Sequence, residues 1–339
     1  MKKTLLIVFL ILLLAGLYAA WNVFGPTVSA PANKYLYIRT GADYEMVKRS
    51  LQDQKIITGT FFFNLVAKQS KYNKNIKAGR YEIKDGSSII NLVRMLKAGR
   101  QSPVRFVINK LRTKEDFAGK VGQQFEADST EVMNFITNND SLAKYQLDTN
   151  TVMTAIIPNS YLFWWNISFN NMFKRFEDQK DKFWNGRRKL KADSLHLTAE
   201  QVYTIASIVE EETIRQDDKG LIASVYMNRL QKGMKLEADP TVKYAMRNFG
   251  LKRILHGHLT YPSLYNTYQH IGLPPGPICT PSINTIDAVL DAPQTNYIFF
   301  VAKPDFNGYS NFAATYQQHL VFANAYRHAL DSLIISRNK

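Results

Sequence analysis

Cysteine is almost absent. Cys279 is the single one in 339 residues, so no intrachain disulfide can form and a zinc site built on paired cysteines is excluded. Acid is scarce as well: 28 Asp and Glu stand against 43 Lys and Arg, for a formal net charge of +15. So basic a chain suits an anionic surface such as nucleic acid, lipid headgroups or an acidic polymer. The signs that would single out nucleic acid are missing. No helix carries a dense Lys/Arg cluster, no RNP-type aromatic motif occurs, and the positive charge is spread through stretches such as KRSLQDQK and KQSKYNKNIK. Beyond residue 24 no run of 18 uncharged apolar residues is found, so a single membrane crossing is expected.

That crossing is at the N-terminus. Lys2 and Lys3 precede an uncharged run from Thr4 to Phe24, which as a helix rising ~1.5 Å per residue matches the ~30 Å hydrocarbon core. The lysines are expected to stay cytoplasmic, as a tip of residues 1–3, with the rest of the chain outside. A cleaved signal peptide is the competing reading, with Val28-Ser29-Ala30 as the small residues before the cut. The apolar run is longer than a usual signal core, which favours an uncleaved anchor. No cysteine stands directly after it, so a lipoprotein anchor is not expected.

Hydrophobic residues make up 45% of the chain, enough for a true core. Residues 25–34, GPTVSAPANK, read as a tether. A weak repeat follows in which YLYIRTGADYEMVKRSLQ, RYEIKDGSSIINLVRMLKAG and RFVINKLRTKEDFAGKVGQQF each read as strand, turn and helix. In the middle copy Ile89, Leu92, Val93 and Leu96 share a helix face, Ser87 or Ser88 can cap it, and Gly99 stops it. Residues 130–200 read as mainly helical, broken near Pro158, with the aromatic stretch SYLFWWNISF as core filling and a sugar-stacking platform as its less favoured alternative. A helix over 198–213 is capped by Thr198 or Asp193, and a second spans about 217–231. Residues 234–282 are loop-rich, YIFFVA (297–302) reads as a buried strand, and a last helix covers about 313–335. The fold class expected is α+β: a transmembrane helix, a small βα module over 35–104 and a larger mixed domain over 105–335.

The helix of 198–213 ends in three glutamates, IASIVEEET. At ~100° per residue, Val202, Ile205, Ala206, Val209 and Thr213 form one core-facing stripe. Glu211 falls opposite, toward solvent. Glu210 and Glu212 fall on the two flanks, pointing apart, so they cannot form a facing carboxylate pair. A flank glutamate covered by another element loses water and its pKa rises, which suits a general acid. Pairing with one of the 43 basic residues is the bland alternative. The loops EADPTVKYA (237–245) and YNTYQHIGLPPGPI (265–278) supply the amide, hydroxyl and ring groups that hold sugars. His256, His258 and His270 offer a metal-like spacing, but no metal and no cofactor are expected.

IASIVEEET, SVYMNRL (224–230), GMKLEADPTVKYA (233–245), YNTYQHIGLPPGPI and the Tyr316/His319 pair together resemble the endolytic murein transglycosylases, the YceG-like family. AGRYEIKDGSSIINLVRMLKAG is similar to that family's LysM-like module. The resemblance implies an endolytic lytic transglycosylase of peptidoglycan glycan strands, held in the bacterial inner membrane with its C-terminal domains on the periplasmic side. It implies Glu210 as the catalytic acid and base, forming a 1,6-anhydroMurNAc end, with Glu212, Asp239, Thr241, Asn266, Thr267 and Tyr268 as supporting or substrate-binding residues. Glu212 has a salt bridge to Arg229 as its bland alternative. The resemblance also implies contact with peptidoglycan synthases. Two other readings stay open, a non-catalytic peptidoglycan-binding scaffold and a hydrolytic muramidase. The sequence departs from the family where IIPNSYLFWWN lacks an acid and where Lys110-Leu111 replaces Glu-Gly.

Overall fold

In the computed structural model, which describes residues 2–337, the chain divides into two units, one made of residues through Phe106 with 122–127 and 162–168, the other of 107–121, 128–161 and the remainder from 169. Segments 122–127 and 162–168 of the predicted larger domain thus fold with the smaller unit, because Phe125 and Phe163 pack on Phe106 there.

The first unit begins with α1 (Lys2–Phe24), a helix apolar and long enough to cross a membrane and exposed along almost its whole length. Its last turns pack on the unit's own helices, Tyr18 meeting Phe62 edge-on at 5.8 Å. The tether expected next is docked instead. Val28 is buried and its backbone exchanges hydrogen bonds with Ser87 and Gly86, since an apolar side chain and two peptide groups find partners there that water would otherwise supply.

The three strand-turn-helix repeats are present. They are β1 (Tyr35–Ile38) with α2 (Tyr44–Asp53), then, after an additional helix α3 (Phe61–Gln69), β2 (Gly79–Glu82) with α4 (Ile89–Ala98), and β3 (Val104–Val107) leading to α5 (Lys114–Gln124). The middle copy forms as its spacing predicts. Ser88 caps α4 by accepting from the Asn91 amide, Gly99 ends it at φ 70°, and Ile89, Leu92, Val93 and Leu96 are all buried. Only glycine takes that left-handed turn without strain. β1 and β2 pair antiparallel, Tyr35 opposite Glu82 and Ile38 opposite Gly79. Alternation along β1 sends Leu36 and Ile38 into the core and leaves Tyr35 and Tyr37 half-buried on the other face.

The second unit takes in most of α5, then α6 (Ser129–Ile136), α7 (Asn139–Ala143) and the start of β4 (Ser160–Phe163), which pairs with β3. There follow α8 (Phe169–Trp184), α9 (Arg187–Ser194), α10 (Ala199–Glu212), α11 (Gln216–Gln231), α12 (Asp239–Ala245), α13 (His256–Leu259), α14 (Ile283–Leu290), β5 (Phe299–Ala302), β6 (Ser310–Ala313) and α15 (Tyr316–Arg337). α10 is its centre, packed against α11 and α14. Every residue of α10 from Val202 to Val209 is buried, so the single core-facing stripe expected from the wheel is too narrow. β5 departs from expectation in the same sense. Among the described residues it pairs with β6 alone and is half-exposed, not buried, because a two-stranded ribbon has few neighbours to cover it.

Candidate active site

α10 starts on a full capping box, with the Thr198 hydroxyl accepting from the Gln201 amide and the Gln201 side chain accepting from the Thr198 amide. It ends on its three acids at the negative pole of the helix dipole, where carboxylates are disfavoured unless something partners them. Each has a different partner.

Glu211 is not in solvent. Lys110 (3.1 Å) and Arg112 (3.0 Å) both bind it, because the segment after β3 lies over this side of the helix. Burial pushes its carboxyl up, but the Arg112 and Lys110 hydrogen bonds and charges outweigh this and hold it below the ordinary value. Lys110, one of the two residues that depart from the family pattern, thus has a partner of its own.

Glu210 sits in a closed polar network. The buried Lys219 ammonium donates to it at 3.0 Å and the Ser282 hydroxyl at 3.0 Å, and the Thr285 hydroxyl also donates. Here too burial raises the pKa and the bonds from Thr285, Lys219 and Ser282, with the Lys219 charge, more than reverse it. The raised pKa expected of a general acid at this position is therefore not found; the carboxyl is held ionised.

Glu212 has the opposite balance. Among the described residues it is the Tyr226 hydroxyl that donates to it, at 2.6 Å. Burial is the dominant influence, reinforced by the nearby Asp239 charge, and the carboxyl is pushed up to about 7. Arg229 does not pair with it. That guanidinium donates to the Ile298, Lys235 and Leu236 carbonyls and bridges Glu237 at 2.9 Å.

Glu212 opens into a cleft of about 350 Å³ whose walls include Arg229, Asp239, Tyr268, Phe299, Tyr316 and His319, within the roughly 300–1,000 Å³ typical of ligand sites. The Tyr268 hydroxyl donates to Asp239 at 2.7 Å, and burial with the Asp239 bond raises the Tyr268 pKa far above the phenol range. His319 stacks on Phe299 at 5.1 Å, and burial and Arg229 lower its pKa, so the imidazole is neutral at pH 7. Its Nδ1 is buried with no hydrogen-bond partner among the described residues. The cleft thus offers one carboxyl poised near neutrality, two tyrosines, a neutral imidazole and a fixed guanidinium.

Of the residues expected here, Glu212, Asp239 and Tyr268 meet in the cleft. Thr241, Asn266 and Thr267 are fully buried behind it. The Thr241 and Thr267 hydroxyls share a 2.9 Å hydrogen bond, and Thr267 accepts from the Ala238 amide, which fixes the start of α12. The Asn266 amide donates to the Leu259 and Tyr261 carbonyls while its oxygen accepts from the Tyr268 amide. Glu210 faces a separate cavity with Asn109, Asn159 and Ser282. Tyr226 and Glu237 were not singled out by the sequence. The signal for Tyr226 was its place three residues before Arg229 in SVYMNRL, one helical turn apart on α11.

The YceG-like family model matches residues 36–325. Among curated proteins, the endolytic murein transglycosylase of Bacillus subtilis (strain 168) is 40% identical over 123 residues, covering 36% of this chain and 33% of its own. That of Streptococcus pneumoniae serotype 2 is 26% identical over 331 residues, covering 87% of this chain and 60% of its own. The chain thus spans less than two thirds of the length of either relative. Among solved structures, a YceG-like protein of Listeria monocytogenes superposes with a TM-score of 0.55 at 25% identity, over 84% of this chain and 97% of its own.

Proposed function

This chain belongs to the YceG-like family, and from that premise we propose that it is an endolytic lytic transglycosylase of peptidoglycan with Glu212, not Glu210, as its acid. The relatives named for that activity support the reaction class. The single observation that carries the residue choice is the place of Glu212 on the wall of the cleft, where burial pushes its carboxyl up to about 7, whereas Glu210 lies on a separate cavity and is held ionised by Thr285, Lys219 and Ser282.

A protonated Glu212 donates to the glycosidic oxygen as the bond to C1 of the muramic sugar breaks and positive charge develops on the ring. The carboxylate left behind takes the proton of that sugar's own C6 hydroxyl, whose oxygen closes on C1. A 1,6-anhydro end forms, no water enters, and Glu212 ends protonated as it began. Hydrolases that invert or retain need a second carboxylate to activate water or to attack. Here the nucleophile is part of the substrate and is already in place. Of the other acids at the cleft, Glu237 is bound to Arg229 and Asp239 accepts from Tyr268, which suits holding the walls and the aromatic faces that receive sugar.

The same reading makes α1 a single-pass anchor in the bacterial inner membrane, with Lys2 and Lys3 cytoplasmic and both units periplasmic. It makes residues 35–104, in which β1 and β2 pair antiparallel, a LysM-like module, and peptidoglycan synthases the partners that supply nascent strands.

The test is to incubate the full chain with purified peptidoglycan and weigh the fragments. Anhydro ends are expected. Ends heavier by one water would make it a muramidase, and no fragments would leave a binding scaffold.

A further inference from the structure

Helix α3 (Phe61–Gln69), the one that stands outside the three repeats, is apolar on both faces. Phe63, Val66 and Ala67 are buried in the core of the first unit. On the outward face Phe61 is 72% exposed and Leu65, one turn on, is 53% exposed. A helix on a water-facing surface carries polar residues there. The exposed pair does not stand alone. Phe61 meets Phe62 edge-on at 5.1 Å, and Phe62 meets Tyr18 of α1 edge-on at 5.8 Å. The outward rings of α3 thus continue the apolar surface of α1, where Tyr18, Trp21 and Phe24 are themselves exposed.

The contact with Tyr18 also sets a level. Between Tyr18 and Phe24, the last residue of α1, the helix rises about 9 Å. With α1 across a bilayer, the first turn of α3 therefore lies below the end of the apolar run. Interfacial helices bury their apolar face to that level, roughly 5–10 Å into the boundary of headgroups and acyl chains. The other end of α3 fits the same placement. Lys68 and Gln69 are exposed in its last turn, and Lys71, Lys74 and Lys77 follow, all exposed. No Asp or Glu occurs between Asp53 and Glu82. Lysine stems lie along apolar surface while their ammonium groups reach the headgroups.

We propose that the outward face of α3 is a membrane-interface surface, with Phe61 and Leu65 among the acyl chains of the leaflet from which α1 emerges. Its partner is lipid and not another protein, because the patch is continuous with a helix surface that lipid already covers and is followed by a lysine-rich, acid-free segment. The first unit is then held to the bilayer twice, by a helix through it and a helix in its surface, which fixes its tilt as a lone anchor does not. The proposal rests on the single-pass anchor reading above and is independent of the enzymatic one.

The experiment reconstitutes the full chain in vesicles containing anionic phospholipid, with a nitroxide attached in turn at Leu65→Cys, Phe61→Cys and Leu12→Cys. All three positions are exposed, so folding should persist, and the buried Cys279 does not compete for the label. Collision with oxygen, which concentrates in lipid, is measured against collision with a water-soluble nickel chelate. The label at Leu12, midway along α1, should read the hydrocarbon core. Labels at Leu65 and Phe61 are expected to be reached by oxygen and shielded from the chelate, at a depth of roughly 5–10 Å. If both meet the chelate as freely as a label in water while Leu12 reads lipid, the proposal is overturned and the anchor stands. Shielding from both reagents would also overturn it, by making the face a protein contact. Spin–spin broadening that disappears on dilution with unlabelled chain would then identify a second copy as the occupant. A Leu12 label that reads water would overturn the anchor reading, and this proposal with it.

Discussion

The Tyr226 hydroxyl donates a 2.6 Å hydrogen bond to Glu212 Oε1. That bond favours the ionised carboxyl, against the burial that pushes it up to about 7. If Glu212 must begin the reaction protonated, kcat/KM is flat at low pH and falls tenfold per pH unit above about 7. Tyr226→Phe removes the stabilising bond, so the Glu212 pKa rises. The alkaline limb should move up by roughly one pH unit, since about 1.4 kcal/mol of hydrogen bond equals one unit. A pH–rate profile on peptidoglycan checks it; a limb that stays in place or moves down would separate Tyr226 from the acid.

The two glutamates should part company on substitution. Glu210→Gln leaves the buried Lys219 ammonium without its counter-charge, which costs about 3 kcal/mol or more of stability. Cleavage should survive at temperatures where that variant is folded. Glu212→Gln keeps the shape of the cleft and relieves a disfavoured charge, so the chain should melt no lower than the parent, while cleavage falls at least about 10³-fold. Thermal melts and fragment yields on the pair decide it. A stable, inactive Glu210→Gln would return the chemistry to that residue.

Stability should peak between two pH windows. Glu210 and Glu211 have folded pKa values below their ordinary 4.5. Their ion pairs stabilise the fold above that value, and the contribution is lost as pH falls through the depressed folded values. Glu212 runs the other way. Its folded value of about 7 lies above the unfolded 4.5, so the folded state is favoured while it is protonated and loses stability as pH rises toward 7. Melting of the full chain should therefore be highest near pH 5. Glu212→Gln should flatten the upper slope and leave the acid slope unchanged.

Local features of the fold were legible in the sequence and distant ones were not. The α4 cap at Ser88, its apolar face and its Gly99 stop are contacts within twelve residues, so pattern and propensity contain them. The burial of α10 on all sides comes from α11 and α14, the latter some 70 residues away, and no wheel carries that information. The same limit explains the glutamates. A wheel places Glu210 and Glu212 on equivalent flanks. What distinguishes them is that Thr285 and Ser282 arrive at one and a tyrosine on α11 at the other. The docking of residues 25–34 was hidden for a related reason: Pro, Gly and Ser signal absence of helix, not absence of contacts, and Val28 finds its partners at Gly86 and Ser87.

Asn266 tests whether a loop residue of the family pattern touches sugar or holds the wall. Its side chain is fully buried, donating to the Leu259 and Tyr261 carbonyls at 3.0 and 2.9 Å and accepting from the Tyr268 amide at 3.0 Å. Asn266→Asp is nearly isosteric but removes both donors and sets a carboxylate against two carbonyl oxygens. It should cost about 3 kcal/mol in stability. Tyr268 would then lose its anchor and its 2.7 Å bond to Asp239, so KM should rise as well. Asn266→Ala, without the charge, should cost about 2 kcal/mol. A residue that only binds sugar would raise KM and leave the melting temperature where it was. Unfolding curves on both variants therefore separate the two roles, and unchanged curves would put the Asn266 amide in the cleft after all.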